Sequence, residues 1–191
     1  MFKFIPLILV ALLLNGCGIP AIGTAEITGV SLFHDRRSLK TIAIDERIET
    51  SASIDLNSDA DIRKYTHFNV TSFNGVLLVT GEAPHQVLRN RISAILQRVS
   101  DVRLVHNQMV LARPAPFTNR TYDTFITSKV KAKFSTSSDM PGFDTTRIKV
   151  VTESGRVFLM GLVYKKEAHI AAENARRVNG VRQVVKVFQY M

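Results

Sequence analysis

Two short segments of this chain are nearly the same, and that repetition restricts the possible folds more than any other feature. Asn74 to Glu82 reads N-G-V-L-L-V-T-G-E, and Ser154 to Leu162 reads S-G-R-V-F-L-M-G-L. Gly75 and Gly81 match Gly155 and Gly161, and within each pair the glycines are six residues apart. In the second copy Val157 and Leu159 fall on one face of an extended chain, Phe158 and Met160 on the other. The leading glycine suits a turn that needs positive φ. The trailing glycine suits a strand that bends or that another backbone approaches closely. One such run is an ordinary buried strand, whereas two in register imply two copies of one folding unit.

The flanking sequence supports the repeat. Before the first copy, Ile44, Ile48 and Ala52 recur every four residues, the stripe of an amphipathic helix from about Thr41. Asn57 to Asp61 reads as a polar turn. Phe68 to Phe73 alternates as a strand, Asn74-Gly75 signals a hairpin, and Val76 to Thr80 is the returning strand. Pro84 suits a first helical turn. Leu88, Ile92, Ile95 and Val99 mark a helix face, and Val102 to Leu111 supplies a last strand. In the second copy Asp123 is a suitable N-cap for a helix from Thr124, with Ile126, Val130 and Phe134 as its buried stripe. A strand at Ile148 to Thr152, a turn, and a strand at Arg156 to Val163 follow. Next comes a helix with Ala168, Ala171, Ala172, Ala175 and Val178 on one face. Asn179-Gly180 stops it, and Val181 to Val187 forms the final strand. The predicted class is α+β: two tandem α-β-β-α-β domains, each a three-stranded mixed sheet packed on two helices. The domains are expected at 41–112 and 120–191, joined by a stiff linker at 113–119 that contains Pro114 and Pro116.

The N-terminus follows different rules. Lys3 precedes an apolar run from Ile5 to Leu14, too short to span a bilayer, and Leu14-Asn15-Gly16-Cys17 closes it. This resembles the bacterial lipobox. The resemblance implies a signal peptide at 1–16, cleavage before Cys17, and acylation of that cysteine, with several acyl chains anchoring far more firmly than one. Gly18, rather than aspartate, follows the cysteine, which by the lipoprotein sorting rule implies the outer membrane. Residues 17–40 read as a lipidated tether, with Asp35-Arg36-Arg37-Ser38 at its end as a solvated linker or a docking segment. Cys17 is the only cysteine, so no intrachain disulfide forms.

Net charge is +9 over 191 residues, and its distribution is uneven. Residues 118–191 hold 13 Lys/Arg against 6 Asp/Glu, while residues 43–112 hold 7 against 8. Outside the cytoplasm nucleic acid is not the expected partner, so the basic second half is the half to place against an anionic membrane.

The paired glycine strands, the helix after each, and the closing Val178-Asn179-Gly180-Val181 resemble the BON domain (bacterial OsmY and nodulation). The first copy departs from that closing motif, with Val99-Ser100-Asp101-Val102. From lipobox to C-terminus the chain is similar to the dual BON-domain outer-membrane lipoproteins, most closely at D-T-F-I-T-S-K-V, Asp123 to Val130. The resemblance implies a lipid-anchored protein facing the periplasm. It also implies binding of anionic phospholipid through the second domain, and a role in outer-membrane integrity and at division sites.

The candidate phospholipid-binding residues are Phe125, Ser128, Lys129, Lys131 and Lys133. Phe125, Lys129 and Lys133 are four apart and share a face beside the buried stripe, the pattern of an interfacial helix. Lys131 lies on a further face. Arg176, Arg177 and Arg182 could extend the patch or be solvated. His34, His67, His85, His106 and His169 share no metal-ligand spacing, and no G-x-S-x-G, H-E-x-x-H or phosphate loop is present. A monomeric binding protein without a cofactor, rather than an enzyme, is expected. A protein-protein adaptor for an envelope assembly or protease, and a peptidoglycan or polysaccharide binder, remain as alternatives.

Overall fold

The computed structural model describes residues 35–114, 117–136 and 144–191. The signal segment, Cys17 and the tether through residue 34 lie outside them, as do Ala115 and Pro116 of the expected linker. Ser38, whose hydroxyl accepts a hydrogen bond from the Thr41 N–H, caps helix α1, Leu39–Ser58. Ile48, Ala52 and Leu56 form its fully buried stripe. The expected polar turn at Asn57 to Asp61 shrinks to Asp59. The Asp59 carboxylate accepts from the N–H groups of Asp61 and Ile62 and starts a new helix at once, α2, Ala60–Tyr65.

Strands β1 (His67–Phe73) and β2 (Val76–Ala83) form an antiparallel hairpin. Its two turn residues, Asn74 (φ 51°) and Gly75 (φ 74°), both have positive φ, the geometry that matches the natural twist of paired strands. Helix α3, Gln86–Leu96, starts after His85, so Pro84 stands just outside the first turn. The expected single closing strand is broken in two, β3 (Leu104–Asn107) and β4 (Val110–Leu111), both parallel to β2. The first sheet therefore has four strands rather than three. The break comes from Asn107, whose side chain accepts from the Met109 N–H and turns Met109 into the core.

The second half repeats this order. Helix α4, Phe117–Ser135, is followed by a 3-10 turn at Thr145–Arg147 and then by β5 (Ile148–Glu153), β6 (Arg156–Val163), α5 (Lys165–Arg176) and β7 (Gln183–Tyr190). β5 and β6 are antiparallel and β6 and β7 parallel, a mixed three-stranded sheet. Ser154 (φ 52°) and Gly155 (φ 74°) reproduce the first hairpin turn. Asp101 (φ 67°) takes the left-handed position that Gly180 (φ 103°) holds in the second half, which explains how the first copy closes without glycine. Asp123 is not an N-cap. The helix begins six residues earlier, and the Asp123 carboxylate accepts instead from the N–H groups of Ser154 and Gly155.

Each sheet buries one face against its own helices. In the first half Leu77 and Val79 meet Ile48, Leu56, Leu88 and Ile92. In the second, Val157, Leu159 and Val163 meet Ile126, Val130 and the alanines of α5. The opposite faces pack on each other, with Phe73, Val76 and Leu78 against Val151, Phe158, Met160 and Val187. Large apolar side chains buried in this way contribute roughly 1.5–3 kcal/mol each, so the two halves stabilise one another. Every residue of β2 is buried as a result. Polar bonds close the seam: Asn74 to Gln189 (2.7 Å), Gln189 to the Phe73 carbonyl (3.1 Å), Lys149 to Glu49 (2.7 Å) and Arg156 to Gln108 (3.0 Å).

Asp35 to Ser38 is not a solvated linker. Arg37 pairs with Asp35 and Asp45 and stacks 3.8 Å over the Phe73 ring. Arg36 donates to both oxygens of Glu167 (2.7 Å each) and to the Leu162 carbonyl (2.9 Å). Consecutive arginines thus hold one half each.

Candidate functional site

Helix α4 carries the residues expected to meet lipid. Its buried stripe, Ile126, Val130 and Phe134, is filled by the core of the second half, so the fold asks nothing of Phe125. Phe125 is 57% exposed, beside Tyr122 at 53%, so two aromatic side chains stand together on the surface of α4. Lys129, one turn on from Phe125, holds its ammonium 4.8 Å from the Phe125 ring centroid and donates to the Asn179 carbonyl at 2.6 Å. Tyr122 reaches the same loop: a Cβ built on Gly180 would lie 3.0 Å from its hydroxyl. Lys133 continues the face by another turn and is exposed. The result is a ridge of two aromatics with cations beside it, fixed at its base to the α5–β7 loop.

The other two candidates do not join that ridge. Ser128 is exposed and its hydroxyl bonds back to the Thr124 carbonyl (3.1 Å), an ordinary intrahelical contact. Lys131, exposed, is two residues past Lys129 and so about 200° round the helix, facing away from Phe125. Of the arginines, Arg176 pairs with Glu173 (3.3 Å) and Arg182 lies along the hairpin at Gly155, while Arg177 is exposed near the loop. Tyr122 was not among the expected residues. Its signal was its place one turn before Phe125, which a helix starting at Thr124 concealed.

Among the described residues one group resembles a metal-ligand set: His67, Glu82 and Glu153, with a ligand atom from each within 4.8 Å of the others. Sequence spacing gave no sign of it, because the three lie on three strands of two sheets. No described helix is long and apolar enough to cross a membrane.

The fold and this ridge define a class: a tandem-repeat α+β protein whose basic second half carries exposed aromatics. The model of the BON domain matches the chain twice, over residues 44–113 and 122–191, and the chain belongs to the BON-domain family, among its outer-membrane lipoproteins. It is 30% identical to "Outer membrane lipoprotein DolP" of Haemophilus influenzae over 93% of this chain and 90% of that one. It is 31% identical to the "21 kDa hemolysin" of Actinobacillus pleuropneumoniae over 82% of this chain and 79% of that one. A solved structure of the C-terminal domain of CdsD, from Chlamydia trachomatis, aligns with 77% of this chain and 67% of its own at 13% identity and a TM-score of 0.30, too loose to carry any argument.

Proposed function

We propose that this lipoprotein is held at the outer membrane through acylated Cys17, faces the periplasm, and binds anionic phospholipid with the Tyr122–Phe125–Lys129–Lys133 ridge. It acts by binding rather than catalysis, in support of outer-membrane integrity and at division sites. The observation that carries the reading is the exposed Phe125 with Lys129 over its ring, on a helix whose core stripe is complete without it. Apolar area placed at headgroup depth gains ~25 cal/mol per Å². Each lysine near an anionic surface adds about 1 kcal/mol.

The test uses the full chain carrying Cys17→Ala, so that binding reports the ridge and not the anchor. Vesicles with phosphatidylglycerol should retain it, and neutral vesicles should not. Phe125→Glu should abolish retention and leave the melting temperature within a degree or two, whereas Ile126→Glu should unfold the second half. Equal retention of Phe125→Glu and its parent would refute the assignment. An adaptor reading has one observation in its favour, a cleft of about 730 Å³ on the first half beside exposed Tyr65 and Val87. It predicts indifference to lipid in the same assay.

A further inference from the structure

The His67–Glu82–Glu153 group sits where the two sheets face each other. His67 Nδ1 lies 3.0 Å from Glu82 Oε2 and 3.8 Å from Glu153 Oε1. Both glutamates are buried, at 3% and 9% exposure. The fold does not require them. Glu82 follows Gly81 as Leu162 follows Gly161, and Glu153 precedes its hairpin turn as Phe73 precedes the other. At the matching places the seam is therefore apolar, and two carboxylates have been buried at one end of a contact that leucine and phenylalanine fill at the other. Burying carboxylates is costly and is tolerated where a cation or a dense hydrogen-bond set holds them.

The geometry suits a cation. Zinc bonds imidazole nitrogen and carboxylate oxygen at about 2.0–2.2 Å, so ligand atoms round a tetrahedral ion stand roughly 3.3–3.5 Å apart. The observed 3.0 and 3.8 Å bracket that spacing. Hydroxyls orient the carboxylates, Ser154 toward Glu82 (3.4 Å) and Thr80 toward Glu153 (3.3 Å), as the supports of metal ligands commonly do. A cleft of about 520 Å³, lined by His67, Asn69, Thr71, Lys149 and Glu153, reaches the group and offers an entry path and room for a water as fourth ligand. One imidazole with two carboxylates favours zinc over calcium or magnesium, which prefer larger all-oxygen shells.

We infer that His67, Glu82 and Glu153 form a zinc site that ties the two BON domains together, with two ligands from the first and one from the second. The test is a zinc titration of the full chain in detergent, made without a histidine tag and stripped with chelator. Calorimetry should find one zinc per chain, and zinc should raise the melting temperature. His67→Asn and Glu153→Gln should each weaken binding at least tenfold, while a triple His85, His106 and His169→Asn variant should bind as the parent does. Should a ligand variant fold poorly, X-ray absorption on the zinc-loaded parent decides instead, and it should show a nitrogen and oxygen shell with a single imidazole. No binding by the parent, unchanged binding in the ligand variants, or a shell with sulfur or several imidazoles would each overturn the site.

Discussion

Asp45 and Asp123 do the same work in the two halves: each carboxylate, projecting from the first helix of its repeat, receives the N–H groups of both residues of its own hairpin turn. Asp45 takes Asn74 (2.6 Å) and Gly75 (2.8 Å), and Asp123 takes Ser154 (2.7 Å) and Gly155 (2.8 Å). A helix is thereby pinned to the turn it packs against. Hydrogen bonds to a charged acceptor contribute about 1.5–3 kcal/mol. Asp123→Ala should lower stability by roughly that amount. Asp45→Ala should cost more, about 3–5 kcal/mol, because it also abandons Ser72 (2.7 Å) and half-buried Arg37 (2.8 Å). Denaturant unfolding of both variants checks the order.

The same aspartate sets an acid limit. Burial pushes the Asp45 carboxyl up, but hydrogen bonds from Gly75, Ser72, Asn74 and Arg37 outweigh burial and hold it below the ordinary carboxylate range. Glu167 is likewise held low: burial pushes it up, and Arg36, the Tyr164 N–H and Arg147 more than reverse that. A lowered carboxyl stabilises the fold while ionised in the native state. Its contribution is full above the unfolded value of about 4 and is lost as pH falls through the native one. Melting temperature should fall as pH drops below about 4, and Asp45→Asn should flatten that fall.

Gly81 and Gly161 should differ in tolerance. A Cβ at Gly81 would lie 2.1 Å from the His67 carbonyl oxygen, and its φ is +116°. At Gly161 the nearest atom is the Arg147 carbonyl oxygen at 2.6 Å, with no left-handed backbone. Gly81→Ala should therefore cost about 3 kcal/mol or more and Gly161→Ala roughly 1–2 kcal/mol, as calorimetry of the two variants would show.

Arg36→Ala and Glu167→Ala should be strongly non-additive. The pair is bidentate and mostly covered, at 18% and 17% side-chain exposure. A double-mutant cycle should return a coupling of about 1 kcal/mol, smaller in high salt.

Lys129 and Lys131 separate the ridge from mere net charge. Lys129→Ala should weaken vesicle retention roughly fivefold, the loss of about 1 kcal/mol, with a shallower salt dependence. Lys131→Ala, on the far side of α4, should change it by less than twofold. Equal losses would mean that charge alone, and no particular face, governs binding.

What the sequence disclosed was its periodicity. Gly75 and Gly155 signalled turns because positive φ leaves few residue choices, and the Ile126, Val130, Phe134 stripe was legible because helix period and burial coincide. Phe125 was legible as a residue the core does not need. The failures share a cause. Asp123 looked like an N-cap because aspartate suits that role, and only the three-dimensional pairing with Ser154 and Gly155 reveals its other use. His67, Glu82 and Glu153 bear no mutual spacing because they meet through sheet-on-sheet packing. Arg36 and Arg37 left linker and docking segment undecided because their partners, Glu167 and Asp45, lie on different halves.

The burial of β2 on both sides has a consequence for dissection. Val76, Leu78, Phe158 and Met160 are covered only while the halves are joined. Either half expressed alone would bare a greasy sheet that the intact molecule conceals. Such a fragment would cling to detergent, to vesicles or to itself irrespective of headgroup charge. Adhesion by a severed second domain would thus be a wound response rather than a talent, and a test of the proposed lipid binding is legible only from the whole chain.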